Sequence, residues 1–542
     1  MKQASPTPQT KQAQCAASEC AQILINAQAK GKLPTRNALE RVKALACKKC
    51  GAVKVLRNSD ILEALIAKKA KVGKGLALLL KTKEVRSLSG ISAVAIMAKP
   101  APCPGACIYC PQGANAPKSY TGFEPATRRA IQNDYDPYKM VSARLEQFKA
   151  VGHDPQKCEL IIMGGTFNAQ PEEYQREFVK RAFDAFNGKA SRSLEAAQKL
   201  NEKAKHRVIG LTFETRPDYA SKEQLLQLLE FGGTRIELGV QSIRPGIYEK
   251  VNRRHTLPDV VDATRNCKDL FLKVGYHMMP GLFATPAEDV AMFKKIFSDE
   301  KFKPDMLKIY PCLVMPNTKL YDMWKKGEFE PYDEETAVKT LSQIKRALPK
   351  WVRVMRIERD IPSDQIAAGI KLTNIRQMVH KYMKNKGWKC NCIRCREAGL
   401  KEKGGANVDF ENAKLNRIDY SASGGKEIFL SFDDEKTDSL LGFLRLRQPS
   451  QSALRAPVAG IGEGVMGVRE LHVYGEQVPI GGRKGGAVQH KGFGAQLLAE
   501  AEKIAKEEFD SKKLFVISGV GAREYYKKQG YKLEGAYMAK KL

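Results

Sequence analysis

The feature that most limits the fold of this chain is a regular alternation of short apolar segments and amphipathic segments between residues 158 and 315. The apolar segments have the length of strands, and the segments between them repeat apolar residues at helical spacing. The predicted strands cover 159–163, 208–213, 236–240, 275–278 and 307–313, and the predicted helices cover 174–186, 222–231, 257–270 and 287–297. Repeated strand–helix units predict a parallel sheet or (β/α) barrel, with ligands at the C-terminal strand ends.

A different pattern starts near residue 427 and runs to residue 542. It contains three predicted strands, a glycine-rich turn and one long predicted helix, followed by a strand, a short helix and a last strand. The first three strands cover 428–432, 442–446 and 465–474, the helix covers 495–508, and the next strand covers 514–518. This order predicts an α+β domain, so the fold class of the whole chain is α/β multidomain.

The charge of the chain is strongly positive. Lys and Arg number 91 against 60 Asp and Glu, which gives a formal net charge of +31. The first 100 residues have a helical apolar pattern and hold 19 basic and 5 acidic residues. Such an excess predicts a polyanionic partner, of which nucleic acid is the usual one. A uniformly solvated basic surface is the alternative that composition leaves open.

Composition also bears on the compartment. The chain has no apolar run near the roughly 18 residues that a membrane-spanning helix needs. Its first residues are polar and lack the apolar region of a secretory signal. The 13 cysteines are therefore more readily explained as metal ligands or reactive thiols than as disulfides. We expect a cytoplasmic protein with no membrane contact.

Cys103, Cys107 and Cys110 place three thiols within eight residues, on a predicted loop before the alternating region. Three thiolates hold three irons of a four-iron (4Fe-4S) cluster and leave the fourth iron open for the amino and carboxylate groups of S-adenosylmethionine. A zinc knuckle is the alternative, although it needs a fourth protein ligand that this segment lacks. The ring of Tyr109 can stack on the adenine. The spacing resembles the signature of radical S-adenosylmethionine (radical SAM) enzymes.

Small and polar residues follow the next predicted strands. The first strand after the cysteines ends in Gly164, Gly165 and Thr166. Glycine lets backbone carbonyls approach a ligand closely, so these carbonyls can hold the amino group of the methionine moiety. Glu214 and Gln241 end the next two predicted strands and suit the ribose and carboxylate of the nucleoside. A tight turn and water-exposed strand ends are the alternatives.

A glycine motif, QHKGFG from Gln489 to Gly494, lies between a predicted strand and the long C-terminal helix. It fits the pattern Q/R-x-x-G-x-G/A, through which acetyltransferases of the GNAT fold bind the pyrophosphate of acetyl-CoA. A structural glycine turn is the alternative. Tyr525 and Tyr526 follow the next strand, where this fold often keeps a tyrosine near the thioester sulfur. The candidate acetyl-CoA residues are Glu470, Leu471, His472, Val473, Lys491, Gly492, Phe493, Gly494, Ala495 and Tyr526.

Taken together, these motifs resemble the catalytic subunit of the Elongator complex in its archaeal form. The resemblance covers roughly residues 85–542 and includes several longer strings. These strings are SYTGFEP at 119–125, GGTF at 164–167, ETRPD at 214–218, HMMP at 277–280, KIYP at 308–311, RELHVY at 469–474 and ISGVG at 517–521.

The resemblance implies a partial (β/α) TIM-like radical SAM barrel and a GNAT domain, preceded by a basic helical region. The implied segments are a tRNA-binding region over 1–85, the radical SAM domain over 86–385, a zinc-binding connector over 386–426 and the acetyltransferase domain over 427–542. Cys390, Cys392 and Cys395 look like the zinc site of archaeal and bacterial members. The sequence leaves its fourth ligand open between His380 and water.

The same resemblance implies the reaction. Such proteins make 5-carboxymethyluridine at the wobble position of tRNA from acetyl-CoA, and they bind the anticodon stem-loop. In the implied route a radical derived from S-adenosylmethionine takes hydrogen from the acetyl methyl, the carbon adds to uridine C5, and the thioester is hydrolysed. The route needs an electron donor for the cluster, and a homodimer belongs to the same expectation. A lysine acetyltransferase with a structural cluster and a nucleic-acid scaffold are the alternative functions.

The resemblance also suggests individual roles and shows departures. Tyr526 and Tyr525 are the implied catalytic tyrosines, and Lys157 matches a lysine implicated in acetyl-CoA handling, with a solvated charge as the alternative. Arg254 stands where the family usually has Gly, and Cys312 stands where Thr is common. Four cysteines outside the family pattern are either unrelated thiols or an extra zinc site: Cys15, Cys20, Cys47 and Cys50.

Overall fold

The structure is a computed structural model, and it describes residues 8–53, 55–81, 90–475 and 492–542. The described residues form two compact units. One unit holds the described chain up to residue 81 together with 142–155, and the other holds 90–141, 156–475 and 492–542. No helix within these ranges is long and apolar enough to cross a membrane.

The N-terminal unit contains a helical core. Thr35 begins the second helix by accepting a hydrogen bond from the Ala38 backbone N–H, and Gly51 ends it with a φ of 65°. Leu24, Leu39 and Ile61 are buried between the helices. The helices are α1 (Pro8–Ala29), α2 (Arg36–Cys50), α3 (Asn58–Ala67) and α4 (Lys74–Leu80).

A disulfide joins the first two helices of this unit. Cys15 of α1 is bonded to Cys50 of α2, and Cys20 is buried in the core beside them. A sulfur in a disulfide is not a thiolate ligand, since the thiolate is the form that binds metal. The structure therefore has a disulfide where the sequence left an extra zinc site open.

A sheet of seven parallel strands, in sequential order, forms the first half of the second unit. Its strands are β1 (Ser92–Met97), β2 (Lys157–Met163), β3 (Arg207–Thr215), β4 (Arg235–Gln241), β5 (Lys273–Met278), β6 (Met306–Ile309) and β7 (Arg353–Arg356). The helices of this part of the chain are α5 (Pro125–Gln132), α6 (Pro137–Ala150), α7 (Glu172–Asn187), α8 (Leu194–Asn201), α9 (Lys222–Glu230), α10 (Pro245–Lys250), α11 (Leu257–Asp269), α12 (Pro286–Ser298), α13 (Lys319–Lys325), α14 (Glu334–Arg346), α15 (Ile375–Asn385), α16 (Ile393–Arg396) and α17 (Ala398–Lys403). Of these, α6 belongs from residue 142 onward to the N-terminal unit. Ser221, Thr256 and Thr285 cap three of them.

This sheet confirms the predicted partial barrel. Five of its seven strands overlap predicted strands, whereas β1 and β7 do not appear in the sequence pattern. β1 lies inside a region whose apolar residues have helical spacing, and β7 has only four residues with Arg at both ends. The predicted strand at 307–313 ends early, at Ile309, because Pro311 has no N–H to donate to a ladder.

The second sheet of this unit also has seven strands, in the order β13-β14-β12-β11-β10-β9-β8. They are β8 (Lys414–Ala422), β9 (Gly425–Asp434), β10 (Ser439–Gln448), β11 (Val465–Val473), β12 (Lys513–Val516), β13 (Lys532–Glu534) and β14 (Tyr537–Lys541). β11 and β12 are parallel and the other neighbours are antiparallel. The helices here are α18 (Gln451–Arg455), α19 (Phe493–Glu507) and α20 (Arg523–Lys528). The sheet begins at Lys414, inside the segment expected to be a connector.

α19 covers one face of the second sheet. Leu497, Leu498 and Ala501 of α19 lie in one buried cluster with Leu444 of β10 and Val468 of β11. These α19 residues recur at the three- and four-residue spacing of an amphipathic helix, so one stripe of the helix supplies the core. The opposite face of the sheet packs against the first sheet.

Glycines let the two sheets approach each other. A Cβ added to Gly467 of β11 would lie 2.4 Å from the ring of Phe271, and one added to Gly519 would lie 2.2 Å from the Ile209 backbone. Phe271 precedes β5 and Ile209 is near the start of β3, so the contact falls at the N-terminal ends of the parallel strands. Side chains at these two glycines would separate the sheets.

Buried ion pairs complete this contact. Arg469 of β11 donates to the Asp305 carboxylate at 2.9 Å, to the Leu272 carbonyl at 2.7 Å and to Glu427 at 3.2 Å. The side chains of Arg469 and Asp305 are 0% exposed. Burial would raise the pKa of Asp305, but Arg469 and the neighbouring cations more than offset it and hold that pKa below its usual range. The other buried members of this network are Lys268, Asp269, Arg445, Arg447 and Glu470.

Arg469→Leu should strongly destabilise the second unit. It would leave the carboxylates of Asp305 and Glu427 buried without their main partner, which typically costs about 3–5 kcal/mol. Urea unfolding followed by circular dichroism measures the loss. Arg417→Ala is the control, because Arg417 is exposed while paired with Asp419 and Glu508, and exposed pairs are worth about 0–1 kcal/mol. Equal losses in the two variants would contradict the role assigned to the network.

Candidate active sites

The first cysteine triad lies on the loop that follows β1. Cys103, Cys107 and Cys110 are each half-buried, and the Cys110 N–H donates to the Cys107 carbonyl at 3.1 Å. Among the described residues, their thiols are not one of the groups that converge to within 4.8 Å. A single metal ion needs such convergence, whereas in a cubane cluster each thiolate binds a different iron. The arrangement therefore fits a cluster better than one ion.

Cationic side chains surround these thiols. Arg253 donates to the Cys107 sulfur at 3.3 Å and to the Gly239 carbonyl at 2.5 Å. Burial raises the pKa of Cys110 to about 11, and the Arg359 guanidinium acts in the opposite direction. A thiol with so high a pKa stays protonated at neutral pH unless a metal ion stabilises its thiolate. The ring of Tyr109 is buried in an apolar cluster with Val251, beside the thiols.

The two glycines after β2 have different surroundings. Gly164 has a φ of 116°, and a Cβ there would lie 3.0 Å from the Ala98 nitrogen after β1. Gly165 has a φ of 71°, and nothing lies closer to its Cβ position than the Lys118 carbonyl at 4.0 Å. Packing between strands explains Gly164, whereas Gly165 faces open space. Thr166 is buried beside them.

Glu214 belongs to a polar cluster inside the barrel. Lys308 donates to Glu214 at 2.7 Å and contacts Glu237, and His277 lies 2.9 Å from Glu237. Tyr120 donates to the other Glu214 oxygen at 3.3 Å. Burial would lower the pKa of Lys308, but the two carboxylates more than offset it and raise that pKa. Glu214, Glu237 and His277 converge closely enough to hold a metal ion. The lysine ammonium is therefore the cation of this cluster.

Sequence reasoning assigned no role to Tyr120, His277 or Lys308, although all three occur in the quoted strings. The parallel register brings His277 and Lys308 to one interior face, and the loop after the first cysteine triad brings Tyr120 to it. Gln241 ends β4 with a φ of 66°, and its carbonyl accepts the Met279 N–H at 2.8 Å. The backbone at this strand end is thus held in the left-handed region, which is uncommon for a residue with a side chain.

The second cysteine triad is compact. The sulfurs of Cys390, Cys392 and Cys395 lie within 4.8 Å of one another, as the ligands of a single ion do. Lys345 donates to the Cys395 sulfur at 3.5 Å, and His380 Nε2 lies 3.9 Å from the same sulfur. Three thiols and a nearby imidazole fit the tetrahedral ligand set of zinc.

The second sheet opens beside β11. The parallel pairing of β11 with β12 runs from Val465 to Val468. Within the described strands, residues 469–473 of β11 have no pairing partner on β12. The backbone groups at the end of β11 therefore face a gap. α19 begins at this gap, after Gly492 with a φ of 79°. A helix N-terminus at an unpaired strand edge offers N–H donors to an anion.

Of the two adjacent tyrosines, Tyr525 lies at this gap. Its hydroxyl is 2.9 Å from the position of a Cβ on Gly494, and Val473 Cγ2 is 3.5 Å from the same position. Tyr526 instead packs in the core, with its ring 6.0 Å from that of Tyr531. The structure thus brings the Tyr525 hydroxyl next to the glycine motif.

After an irregularity in the pairing with β10 at Arg469, the side chains of β11 from Glu470 onward alternate between two faces. Glu470 bonds to Arg445 at 2.9 Å, and the His472 ring stacks on Phe443, so both point toward the first sheet. Leu471 and Val473 pack on the α19 side. Only backbone groups of Glu470 and His472 can then serve a ligand in the gap. Phe493 is buried and Ala495 partly buried in the first turn of α19, and Lys491 lies outside the described residues.

Lys157 opens β2, at the opposite end of the strand from Gly164. Burial lowers the pKa of its ammonium. Its register partner on β3 is Arg207, whose side chain lies 2.5 Å from a Cβ position on Gly521. Lys157 is therefore on the side of the barrel where the second sheet packs, and not at the edge that holds the first cysteine triad.

Comparison with known proteins identifies the family of the chain. Residues 102–296 match the Radical SAM superfamily, and residues 304–385 match the Radical_SAM C-terminal domain. The chain is 48% identical over 524 residues to tRNA uridine(34) acetyltransferase of Methanocaldococcus jannaschii, covering 95% of each chain. It is 42% identical over 516 residues to human Elongator complex protein 3, covering 93% of each. The chain belongs to the Elongator complex protein 3 family.

A solved structure supports the same assignment. The archaeal Methanocaldococcus infernus Elp3 with an N-terminal deletion is 48% identical, with a TM-score of 0.74. The match covers 84% of this chain and 100% of that chain. As a radical SAM member of the Elongator complex protein 3 family, the protein is an enzyme whose fold implies a 4Fe-4S cluster and S-adenosylmethionine. The separated thiols of the first triad and the open space at Gly165 fit these two groups.

After anaerobic reconstitution, the Cys107→Ala variant of the protein should contain no bound iron. It deletes one of three thiolates and leaves Arg253 without the sulfur that it contacts. Chemical analysis of iron and sulfide, together with the visible absorption of the cluster, measures the loss. Cys158→Ala is the matched control, because Cys158 is a fully buried thiol in β2. Full iron content in Cys107→Ala would contradict the assignment of this triad.

Proposed function

We propose that this protein is a tRNA-modifying enzyme that uses acetyl-CoA and radical SAM chemistry to carboxymethylate C5 of the wobble uridine in tRNA anticodons. The observation that carries the proposal is that one compact unit contains both the cysteine-lined barrel edge and the open cleft beside β11. The relatives named for acetylation of tRNA uridine 34 support the substrate. A purely structural cluster would not require the open strand edge at Gly165.

The barrel edge would provide the radical site. Cys103, Cys107 and Cys110 would hold the 4Fe-4S cluster, with S-adenosylmethionine beside Gly165 and Gln241. When bound, these groups supply the one-electron chemistry that activates the acetyl methyl group, and an electron donor outside this chain reduces the cluster. Tyr109 would border the adenine from within its apolar cluster, and Gly164 and Thr166 would fix the strand end.

The polar cluster inside the barrel would control protons at this site. Glu214 is held by Lys308 and Tyr120 and is only partly buried. A carboxylate in this setting can accept the proton that uridine C5 releases when its new carbon–carbon bond replaces the C–H bond, and the bound cluster would take up the one electron that this radical substitution releases. His277 and Glu237 fix the position of Lys308, so the carboxylate keeps one orientation.

The cleft beside β11 would hold acetyl-CoA. The unpaired backbone of residues 470–473 would bond the pantetheine, and residues 491–495 would bind the pyrophosphate at the start of α19. Tyr525 would orient the thioester or donate to the departing sulfur. Tyr526 would act through the packing of α20, and Lys157 would assist acetyl-CoA handling from the adjacent barrel face.

Other parts of the proposal concern partners and organisation. The net charge of +31 supports binding of the tRNA anticodon stem-loop, with the basic segment 1–85 as its first contact. Residues 86–385, 386–426 and 427–542 would be the radical, connector and acetyltransferase segments. Zinc would be held by the second triad and His380. A homodimer and a cytoplasmic location complete the proposal.

The reaction itself can be tested with the reconstituted full chain. Wild-type protein, acetyl-CoA, S-adenosylmethionine, a reductant and unmodified tRNA should yield 5-carboxymethyluridine, detected by mass spectrometry of the digested nucleosides. With 13C-labelled acetyl groups, the product mass should carry the label, because the acetyl carbons become the new substituent. Label on lysine residues and none on uridine would instead favour a protein acetyltransferase.

The two adjacent tyrosines give a matched test of the acetyl-CoA cleft. Tyr525→Phe should slow tRNA-stimulated release of CoA by about 100- to 1000-fold, as expected for removing one preorganised donor. Tyr526→Phe deletes the same hydroxyl from the neighbouring core position, so it should change the rate much less.

Equilibrium binding of acetyl-CoA separates a binding effect from a catalytic one. Tyr525→Phe should retain acetyl-CoA affinity, since only the hydroxyl is lost. The opposite ranking, with Tyr526→Phe the slower variant, would contradict the role given to Tyr525.

A further inference from the structure

A cavity of about 420 Å³ lies at the end of β6 and β7 on the cysteine side of the barrel. Leu313, Ile357, Ile366 and Ile370 contribute to its apolar lining. Phe123 stands at its rim and is 50% exposed. An aromatic ring beside an apolar cavity is a surface on which a planar base stacks, at sites that bind single-stranded nucleic acid.

One carboxylate that lines this cavity, that of Glu358, has an oxygen that accepts no hydrogen bond. The Oε2 of Glu358 is buried and has no hydrogen-bond partner. The Ile375 backbone N–H, at the start of α15, hydrogen-bonds to the same carboxylate. Buried polar groups are nearly always satisfied, and the nearby Arg376 guanidinium attracts this carboxylate without bonding to Oε2, so the unsatisfied oxygen at the cavity wall indicates a donor supplied by a ligand. The Oε2 atom can therefore accept an N–H from a ligand.

The rim of the cavity is basic. Arg128, Arg359 and Lys371 line it, and the other nearby acid, Asp360, is paired with Arg356. Arg359 donates to the Ser119 carbonyl at 2.5 Å, on the segment that follows the first cysteine triad. The cavity therefore opens beside the cluster loop, with cationic groups placed to neutralise phosphate.

We propose that this cavity binds an unstacked uracil base of the tRNA anticodon loop, with Phe123 stacked on the base and Glu358 accepting its N3–H. The proposal rests on the tRNA-modifying function proposed above. Uracil presents a single ring N–H on its pairing edge. Cytosine and adenine present a ring acceptor there, which a carboxylate repels, and could bind only through their exocyclic amino groups, whereas guanine would need both carboxylate oxygens.

Two uracils could occupy the cavity, namely the base that is modified and a neighbouring uridine of the loop. Synthetic anticodon stem-loops with 3-methyluridine at one position or the other distinguish them, because the methyl group removes the N3–H donor. Loss of a hydrogen bond to a charged group should weaken binding to the wild-type full chain by about 10- to 150-fold at the occupied position. Equal affinity for both methylated RNAs and the unmethylated RNA would overturn the proposal.

Glu358→Leu tests the residue. The variant should bind the methylated and unmethylated RNAs with equal affinity, whereas a merely structural defect would weaken both and preserve their ratio. Asp364→Asn is the control, because Asp364 is an exposed carboxylate in the same segment and does not line the cavity. A preserved wild-type ratio in Glu358→Leu would overturn the role of Glu358.

Phe123→Ala covers the case in which Glu358→Leu does not fold, since Phe123 is exposed. Loss of one stacking contact should weaken binding of the unmethylated RNA by about 5- to 150-fold. Unchanged affinity would overturn the stacking. Nucleoside analysis of tRNA treated with the wild type separates the two proposals: product formation without N3 discrimination refutes only the uracil site, whereas absence of any product refutes the proposed function.

Discussion

The contact between Arg469 and Asp305 fixes the relation between the two halves of the catalytic unit. Both side chains are fully buried, so each charge is tolerated only because the other neutralises it. Glu427 and Lys268 extend the pairing to charges that are themselves nearly or fully buried. A sliding motion of one sheet over the other would leave several charges unpaired at once. The barrel and the β11 cleft are therefore held as one rigid core.

Buried ion pairs also occur inside the barrel. Arg235 forms ion pairs with Glu159, at 2.5 Å, and with Glu237, at 3.2 Å, and Glu237 also contacts Lys308. Glu470 of the second sheet helps raise the pKa of Arg235, against the effect of burial, so the charges of the two networks interact. Paired charges in a low-dielectric interior are preorganised, which keeps the groups at the cysteine edge in a fixed electrostatic setting.

The sequence predicted local features well and three-dimensional partners poorly. The parallel sheet follows from strand–helix alternation, and the cysteine and glycine motifs are visible because their residues are close in sequence. The buried cations could not be predicted, since Arg469 and Lys308 are surface residues by type and are buried only because partners distant in sequence neutralise them. Which of Tyr525 and Tyr526 faces the gap depends on the rotation of α20 about its axis, because adjacent side chains of a helix point about 100° apart.

The two cysteine triads differ in the kind of metal site that their geometry fits. Hydrogen bonds hold the segment of the second triad on both sides. The Ile393 N–H donates to the Val352 carbonyl near the first sheet, and Arg396 donates to Asp438 beside the second sheet. Held between two sheets, its thiols converge on one point, as a closed structural ion requires. The first triad lies on a loop anchored by Ile108 to the Val251 carbonyl at 3.1 Å, and its thiols stay apart. Separation leaves room for several irons and for an open coordination position, so the triad beside the open edge of the barrel is the one suited to chemistry.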